Sequence, residues 1–201
     1  MGLGNIRPNN FKFIAGKDIF RFEQYCYFAK LSKLAERDPE ISYLLNCNNA
    51  ITPDILVVHE SEHNNFTHDL LIDTTVDSGT RKLNTKLLTL QASISCKWSL
   101  RSDAMPNARS EGLNLVGRWR ERAPLHIAVV TGEPLPSSLA TLALGTGDID
   151  CVYHIALPEL IKSVKRLALE DSMYLIRSMV NSRRLKDIAD LPLDLATNSI
   201  H

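Results

Sequence analysis

Three polar side chains far apart in the chain, Asp54, Lys97 and Glu111, are of the types that hydrolyse phosphodiester bonds. Two carboxylates can hold a hard cation such as Mg²⁺, which polarises a phosphate and lowers the pKa of a bound water. A lysine beside them orients that water or offsets developing negative charge. Asp54 follows Pro53 at the mouth of the apolar run ILVV, residues 55–58, where packing gives no reason for a carboxylate. Lys97 lies in the segment ISCKW, residues 94–98, which also offers the main-chain carbonyl of Cys96. Glu111 sits three residues after Ala108 and four before Leu115, on a stripe that continues to Trp119. An acid on an inward stripe needs a partner, and either Lys97 or a metal ion held by oxygen ligands provides one.

The elements that must bring these residues together are legible in outline. Side chains alternate along a strand, so Ile94, Cys96 and Trp98 share one face, expected to be core. Ser93, Ser95, Lys97 and Ser99 share the other, which in an isolated strand reads as solvent-facing. Residues 1–17 are rich in Gly and Asn and read as a loop or arm. An amphipathic helix is predicted over 18–36, a short second one over 39–45, and strands over 55–58, 70–76 and 87–100. The polar stretch DSGTRKLN forms a turn between the last two. A helix follows over 106–122, with Pro106 in its first turn. LHIAVVTG and CVYHIAL read as buried strands, separated by a short helix within 137–144 and a GTGD turn. Helices over 158–166 and 172–186 close the order. The fold class is α/β: one domain spanning 1–201, with a mixed central sheet flanked by helices on both faces.

Composition narrows the functional classes. The 201 residues can bury a core without disulfides, and 23 basic side chains cancel 23 acidic ones, so any polyanion site must be local. Cys26, Cys47, Cys96 and Cys151 are widely spaced with no C-x-x-C pair, as in a cytoplasmic protein with reduced thiols. No apolar run approaches the roughly eighteen residues that span a bilayer, and no membrane partner is expected.

Other motifs carry less. HESEH, His59 to His63, matches the H-E-x-x-H zinc peptidase pattern, but zinc binding there needs a helix, and these residues continue from DILVV and run into NN. They read as a strand end and a polar loop. GTGD lacks the G-K-[ST] ending of a phosphate loop. Ser137 and Ser138 lack a nucleophile-elbow setting. Cys96, on the apolar strand face, reads as a buried thiol rather than a nucleophile. Tyr25, Tyr27, Trp119 and Tyr153 read as core.

Pro53-Asp54 followed by Ser95-Cys96-Lys97 resembles the PD-(D/E)XK nuclease superfamily, with serine where a carboxylate is usual. ISCKW, RSD, NARSEGLNLV, LGTGDIDCVYH and RLKDIADLPLDLA together resemble the NgoMIV-type type II restriction endonucleases over roughly residues 50–196. That resemblance implies Mg²⁺-dependent cleavage of double-stranded DNA at a short GC-rich palindrome with a CCGG core, GCCGGC-like, leaving 5′-phosphates. It makes Asp54 the principal metal ligand, Cys96 a ligand through its carbonyl, Lys97 catalytic and Glu111 the acid relocated from the strand to a helix. A further acid on an upstream helix is assigned to Glu23, with Glu36 competing. Family members carry more sequence before the Asp54 position, so the chain is expected to be a shortened form at its N terminus.

After the catalytic strand the family reads C·G pairs with an R-S-D-R segment. Arginine donates two hydrogen bonds to guanine O6 and N7, and a carboxylate accepts from the cytosine amino group. Arg101 and Asp103 match; Ala104 replaces the second arginine, and Arg109 is a candidate to recover its contact. A two-fold target implies a homodimer or homotetramer. Two rival expectations remain: a sequence-specific DNA-binding protein of the same fold that no longer cuts, for which Ala104 argues, and the zinc peptidase.

Overall fold

The computed structural model describes residues 11–15, 22, 25, 53–60, 88–101, 104–117, 125–145 and 147–197. Six strands lie side by side in chain order: β1 Phe11–Ala15, β2 Ile55–Glu60, β3 Leu88–Lys97, β4 His126–Thr131, β5 Cys151–His154 and β6 Leu185–Asp187. The first three pair antiparallel, and β3 to β6 pair parallel. Parallel neighbours need crossovers, and helices supply them. Helix α1 Ala104–Gly117 joins β3 to β4, α2 Pro136–Ala143 joins β4 to β5, and α3 Leu157–Arg166 with α4 Glu170–Asn181 joins β5 to β6. A 3₁₀ turn at Ile188–Asp190 leads into α5 Leu191–Thr197. This is the expected mixed sheet flanked by helices.

β4 and β5 are unbroken apolar runs because both of their faces are covered. Ile127, Val129 and Val152 face the larger core, with Leu139, Leu142, Ile176 and Met179. Ala128, Cys151 and Tyr153 face a smaller one, closed by Ile188, Leu191 and Leu195. Phe22 and Tyr25, the described part of the predicted helix 18–36, are buried in the larger core.

A β-bulge decides which face β3 presents. Pairing passes from Val57↔Ala92 to Val58↔Leu90, so Gln91 is the extra residue. Leu90 therefore joins Leu56 and Val58 in the larger core, while Ala92 and Ile94 join Val57 in the smaller one. From Ala92 onward, Ser93, Ser95 and Lys97 point to the larger-core side. This face is not a solvated one: Ser93 and Ser95 are buried.

Several expectations are corrected. The arm over 1–17 contains a strand, β1, which pairs in register with β2, Phe13 opposite Val57. The helix predicted over 172–186 ends at Asn181, and Leu185–Asp187 form β6. The stop is a Schellman motif: Arg183 takes φ 59°, its N–H reaches Val180 O at 3.0 Å, and the Arg184 N–H reaches Met179 O at 2.9 Å. Glycine is usual at that left-handed position, and arginine there gave the sequence no punctuation. α5 was not anticipated either. The helix over 39–45, the strand over 70–76 and the DSGTRKLN turn lie outside the described residues.

Candidate active site

The three residues singled out for their chemistry converge from three elements. Asp54 precedes β2, and continuing the pairing Ile55↔Ile94 by one residue sets it beside Ser95. Its Oδ2 accepts the Cys96 N–H at 2.7 Å. Lys97, at the carboxyl end of β3, holds Nζ 3.6 Å from Asp54 Oδ2 and 3.6 Å from Glu111 Oε1. Those two oxygens are thus separated by no more than twice that distance. Both contacts are longer than a good hydrogen bond, so the ammonium bridges the acids as an ion pair without closing on either. The other Glu111 oxygen, Oε2, accepts a hydrogen bond from the buried Ser95 hydroxyl. Asp54 Oδ1 has no protein hydrogen-bond partner among the described residues.

Glu111 reaches the strand because α1 lies close over it. Ala108, Gly112 and Leu115 form the buried stripe of α1, and Glu111 borders it. A Cβ on Gly112 would stand 2.6 Å from the Asp148 carbonyl oxygen, so only glycine lets the helix sit this near the 145–150 loop. Arg109, one turn earlier, packs its guanidinium against Gly145 and places Nε 3.9 Å from Asp148 Oδ2, a side chain only 2% exposed. Arg109 is therefore engaged with an acid of its own fold.

Arg101 is exposed; its N–H approaches Ser99 Oγ at 3.3 Å and its carbonyl accepts the Ala104 N–H at 3.2 Å. Asp103, Glu23 and Glu36 lie outside the described residues, as do Tyr27, Trp119 and the 61–63 part of HESEH. His59 and Glu60 belong to β2, not to a helix, so the one-face geometry of a zinc peptidase is absent at those two positions. Cys96 departs from expectation: its thiol is exposed, as is Trp98, because β3 outruns the smaller core beyond Ile94. Partial burial, then the neighbouring Asp54 charge, pushes the Cys96 thiol upward, which keeps it protonated and unsuited to nucleophilic attack.

The sequence did not single out two polar groupings that the fold assembles. Glu133, fully buried, accepts the Leu100 N–H at 2.8 Å and the Leu135 N–H at 3.1 Å. On the smaller-core side of the sheet, Tyr153 Oη donates to Asp194 Oδ2 at 2.7 Å and lies 3.1 Å from His126 Nε2. Lys186 Nζ donates to both Asp194 oxygens at 2.8 and 2.6 Å. Burial, then the bond to Asp194, pushes the Tyr153 hydroxyl well up, so it remains a donor that ties α5 to the sheet. Glu133 lies 33 positions from Leu100 and Asp194 lies 41 from Tyr153, and no short motif marks either grouping.

Among the described residues, no three His, Cys, Asp or Glu side chains gather in one cluster. The Asp54 and Glu111 carboxylates and the Cys96 carbonyl are all oxygen donors, the set that suits a hard divalent cation rather than zinc. The site lies where the carboxyl end of β3 meets the amino end of the antiparallel β2.

A family model described as NgoMIV restriction enzyme matches residues 2–197. The chain is similar to the type II restriction enzyme NgoMIV of Neisseria gonorrhoeae, with 46% identity over 205 residues covering 96% of this chain and 71% of that one. Among solved structures, a complex of restriction endonuclease PspGI with substrate DNA is similar over 53% of this chain and 40% of its own, at 19% identity and a TM-score of 0.36.

Proposed function

We propose that this chain, which belongs to the NgoMIV restriction enzyme family, is a type II restriction endonuclease that cuts double-stranded DNA at a short GC-rich palindrome with Mg²⁺, leaving 5′-phosphates. The observation that carries the reading is Lys97 Nζ, equidistant at 3.6 Å from carboxylates delivered by a strand mouth and a helix. The oxygen donors fit the cation, and Asp54, Glu111 and the Cys96 carbonyl would hold it. When bound, it supplies Lewis-acid polarisation of the phosphate and a more acidic water.

The protein's own residues do the rest. The Lys97 ammonium stands where it can donate to the attacking water or to a phosphate oxygen as negative charge builds. Ser95 fixes the orientation of Glu111. Cys96 N–H fixes that of Asp54. Glu23 is the further upstream acid in this reading. Arg101 and Asp103 read a C·G pair, Arg101 through guanine O6 and N7 and Asp103 through the cytosine amino group. For Arg109 to supply the contact that Ala104 lacks, its guanidinium has to leave Asp148 when DNA binds. A GCCGGC-like site with a CCGG core is the target. One site cuts one strand, so a homodimer or homotetramer is the working assembly, acting in the cytoplasm.

Incubating plasmid DNA with the protein, in Mg²⁺ and in EDTA, tests this. Discrete fragments that need the metal, with ends mapping to one palindrome, are expected. Retention of DNA without cleavage would instead identify a binding protein of the same fold.

A further inference from the structure

We infer that Glu133 is a positioning residue for base discrimination: it fixes the backbone from which Arg101 projects. The inference rests on the nuclease reading above. Glu133 lies just beyond β4, touches none of Asp54, Lys97 or Glu111, and is 0% exposed. A carboxylate buried this completely is costly unless its lone pairs are filled. Here both oxygens accept backbone N–H groups, Leu100 at 2.8 Å and Leu135 at 3.1 Å. The first belongs to the segment leaving β3, the second to the start of α2. One side chain therefore ties together the two loops at the carboxyl ends of β3 and β4.

The rest of Glu133 is fixed as firmly. Its own N–H reaches Thr131 Oγ1 at 3.2 Å. His154 Nδ1 accepts the Ala156 N–H at 3.0 Å, so Nε2 carries the proton and donates to Glu133 O at 3.1 Å. Two further bonds tie the same loops: Gly132 N–H to Trp98 O at 3.1 Å and the Thr131 hydroxyl to Trp98 O at 3.5 Å. The chain between Lys97 and Arg101 is thus held at Trp98 and at Leu100, on either side of Ser99. A residue needed only to fill this space would be apolar, since burying an ionic group gives no advantage in packing. What the carboxylate adds is direction: two N–H groups must aim at it, which sets the course of the backbone at Leu100. Arg101, the next residue, is exposed, and a bidentate contact to a base edge tolerates little displacement of its root.

The test compares wild type with Glu133→Gln. Glutamine keeps the shape but turns one acceptor into a donor, so one of the two N–H bonds must break. The readout is the ratio of kcat/KM on a duplex carrying GCCGGC to that on a duplex with one inner C·G pair replaced by T·A. A smaller folded fraction lowers both rates equally and leaves the ratio alone, so a merely structural role does not move it. We expect the ratio to fall by about tenfold or more, within the range of one lost base contact. A ratio within about twofold of wild type overturns the inference. If circular dichroism shows that Glu133→Gln does not fold, Thr131→Val decides in its place: it removes the links to Trp98 O and Glu133 N, and an unchanged ratio again overturns the proposal. Wild-type protein that fails to distinguish the two duplexes sinks the nuclease reading and the inference with it. Discrimination by wild type and variant alike sinks the inference alone.

Discussion

Replacing Lys97 with methionine should move metal binding and catalysis in opposite directions. Methionine keeps most of the length of the side chain and removes its charge. In the native site the ammonium stands 3.6 Å from Asp54 and 3.6 Å from Glu111, so it competes with any cation for both acids. At an effective dielectric of about 20, each pair would attract by ~4–5 kcal/mol. Side-chain exposures of 21% for Lys97, 45% for Asp54 and 24% for Glu111 admit water, which discounts each pair to about 0.5–1 kcal/mol. Losing both ion pairs should tighten divalent-ion binding to the DNA-free protein by roughly 5- to 30-fold. Cleavage should fall by roughly a hundred- to a thousandfold, the usual loss when one group stabilising transition-state charge is deleted. Isothermal titration with Mg²⁺ or Mn²⁺ measures the first quantity, and initial rates on plasmid DNA the second. Ion affinity that stays level or weakens, or cleavage within about tenfold of wild type, would refute the view that Lys97 both guards the acids and serves the reaction.

The two arginines should separate by what their loss disturbs. Arg101→Ala should cost about 1–3 kcal/mol of discrimination at one base pair while leaving unfolding unchanged. Arg109→Ala should act chiefly on stability, by about 1–3 kcal/mol in denaturant, because it removes a cation facing the 2%-exposed Asp148, a loss moderated by the 26% exposure of Arg109 itself. Altered base choice at unchanged stability would instead make Arg109 a DNA contact. His126 gives a pH prediction. Burial lowers its pKa, opposed by the Asp150 and Asp194 charges and reinforced by Lys186. The folded state thus favours neutral imidazole, so this contribution is complete above about pH 6.5 and is lost progressively as pH falls below it. Asp194 is also shifted: burial alone would raise its pKa, but Lys186 and Tyr153 bring it below the ordinary value, so its contribution disappears only in a more acidic window. Urea midpoints should therefore drop between about pH 7.5 and pH 5.5 in wild type and drop less in His126→Gln; equal slopes would reject the assignment.

What the sequence disclosed depended on whether a residue's signal was local. Asp54, Lys97 and Glu111 could be picked out because each breaks a local pattern: an acid at a strand mouth, a lysine among serines, an acid on an apolar stripe. β4 and β5 were visible as apolar runs because both of their faces are buried. The end of α4 was hidden because its left-handed residue is Arg183 rather than glycine. β1 was hidden because, among the described residues, it pairs on one side only and its Phe13 is 54% exposed, so it lacks the pattern of a buried strand. Glu133 was invisible for a different reason. In TGEPLP it resembles any loop acid, and its burial comes from Leu100 and His154, which the sequence places 33 and 21 positions away.

The serine at position 95 can be understood from the same geometry. The bulge at Gln91 directs Ser95 toward α1 rather than toward the smaller core, and the close approach of α1 at Gly112 brings Glu111 within hydrogen-bonding reach of its hydroxyl. A carboxylate at 95 would meet a second one in a space that is 5% exposed at the strand, and like charges so close cannot both remain ionised. Serine instead donates to the acid that arrives from the helix. On the nuclease reading, strand and helix are alternative carriers for a single acid position, and taking the acid from the helix leaves the strand to present a small donor. Restoring the strand acid with Ser95→Glu should then require the simultaneous removal of Glu111, because either acid alone has room beside Lys97 and the two together do not.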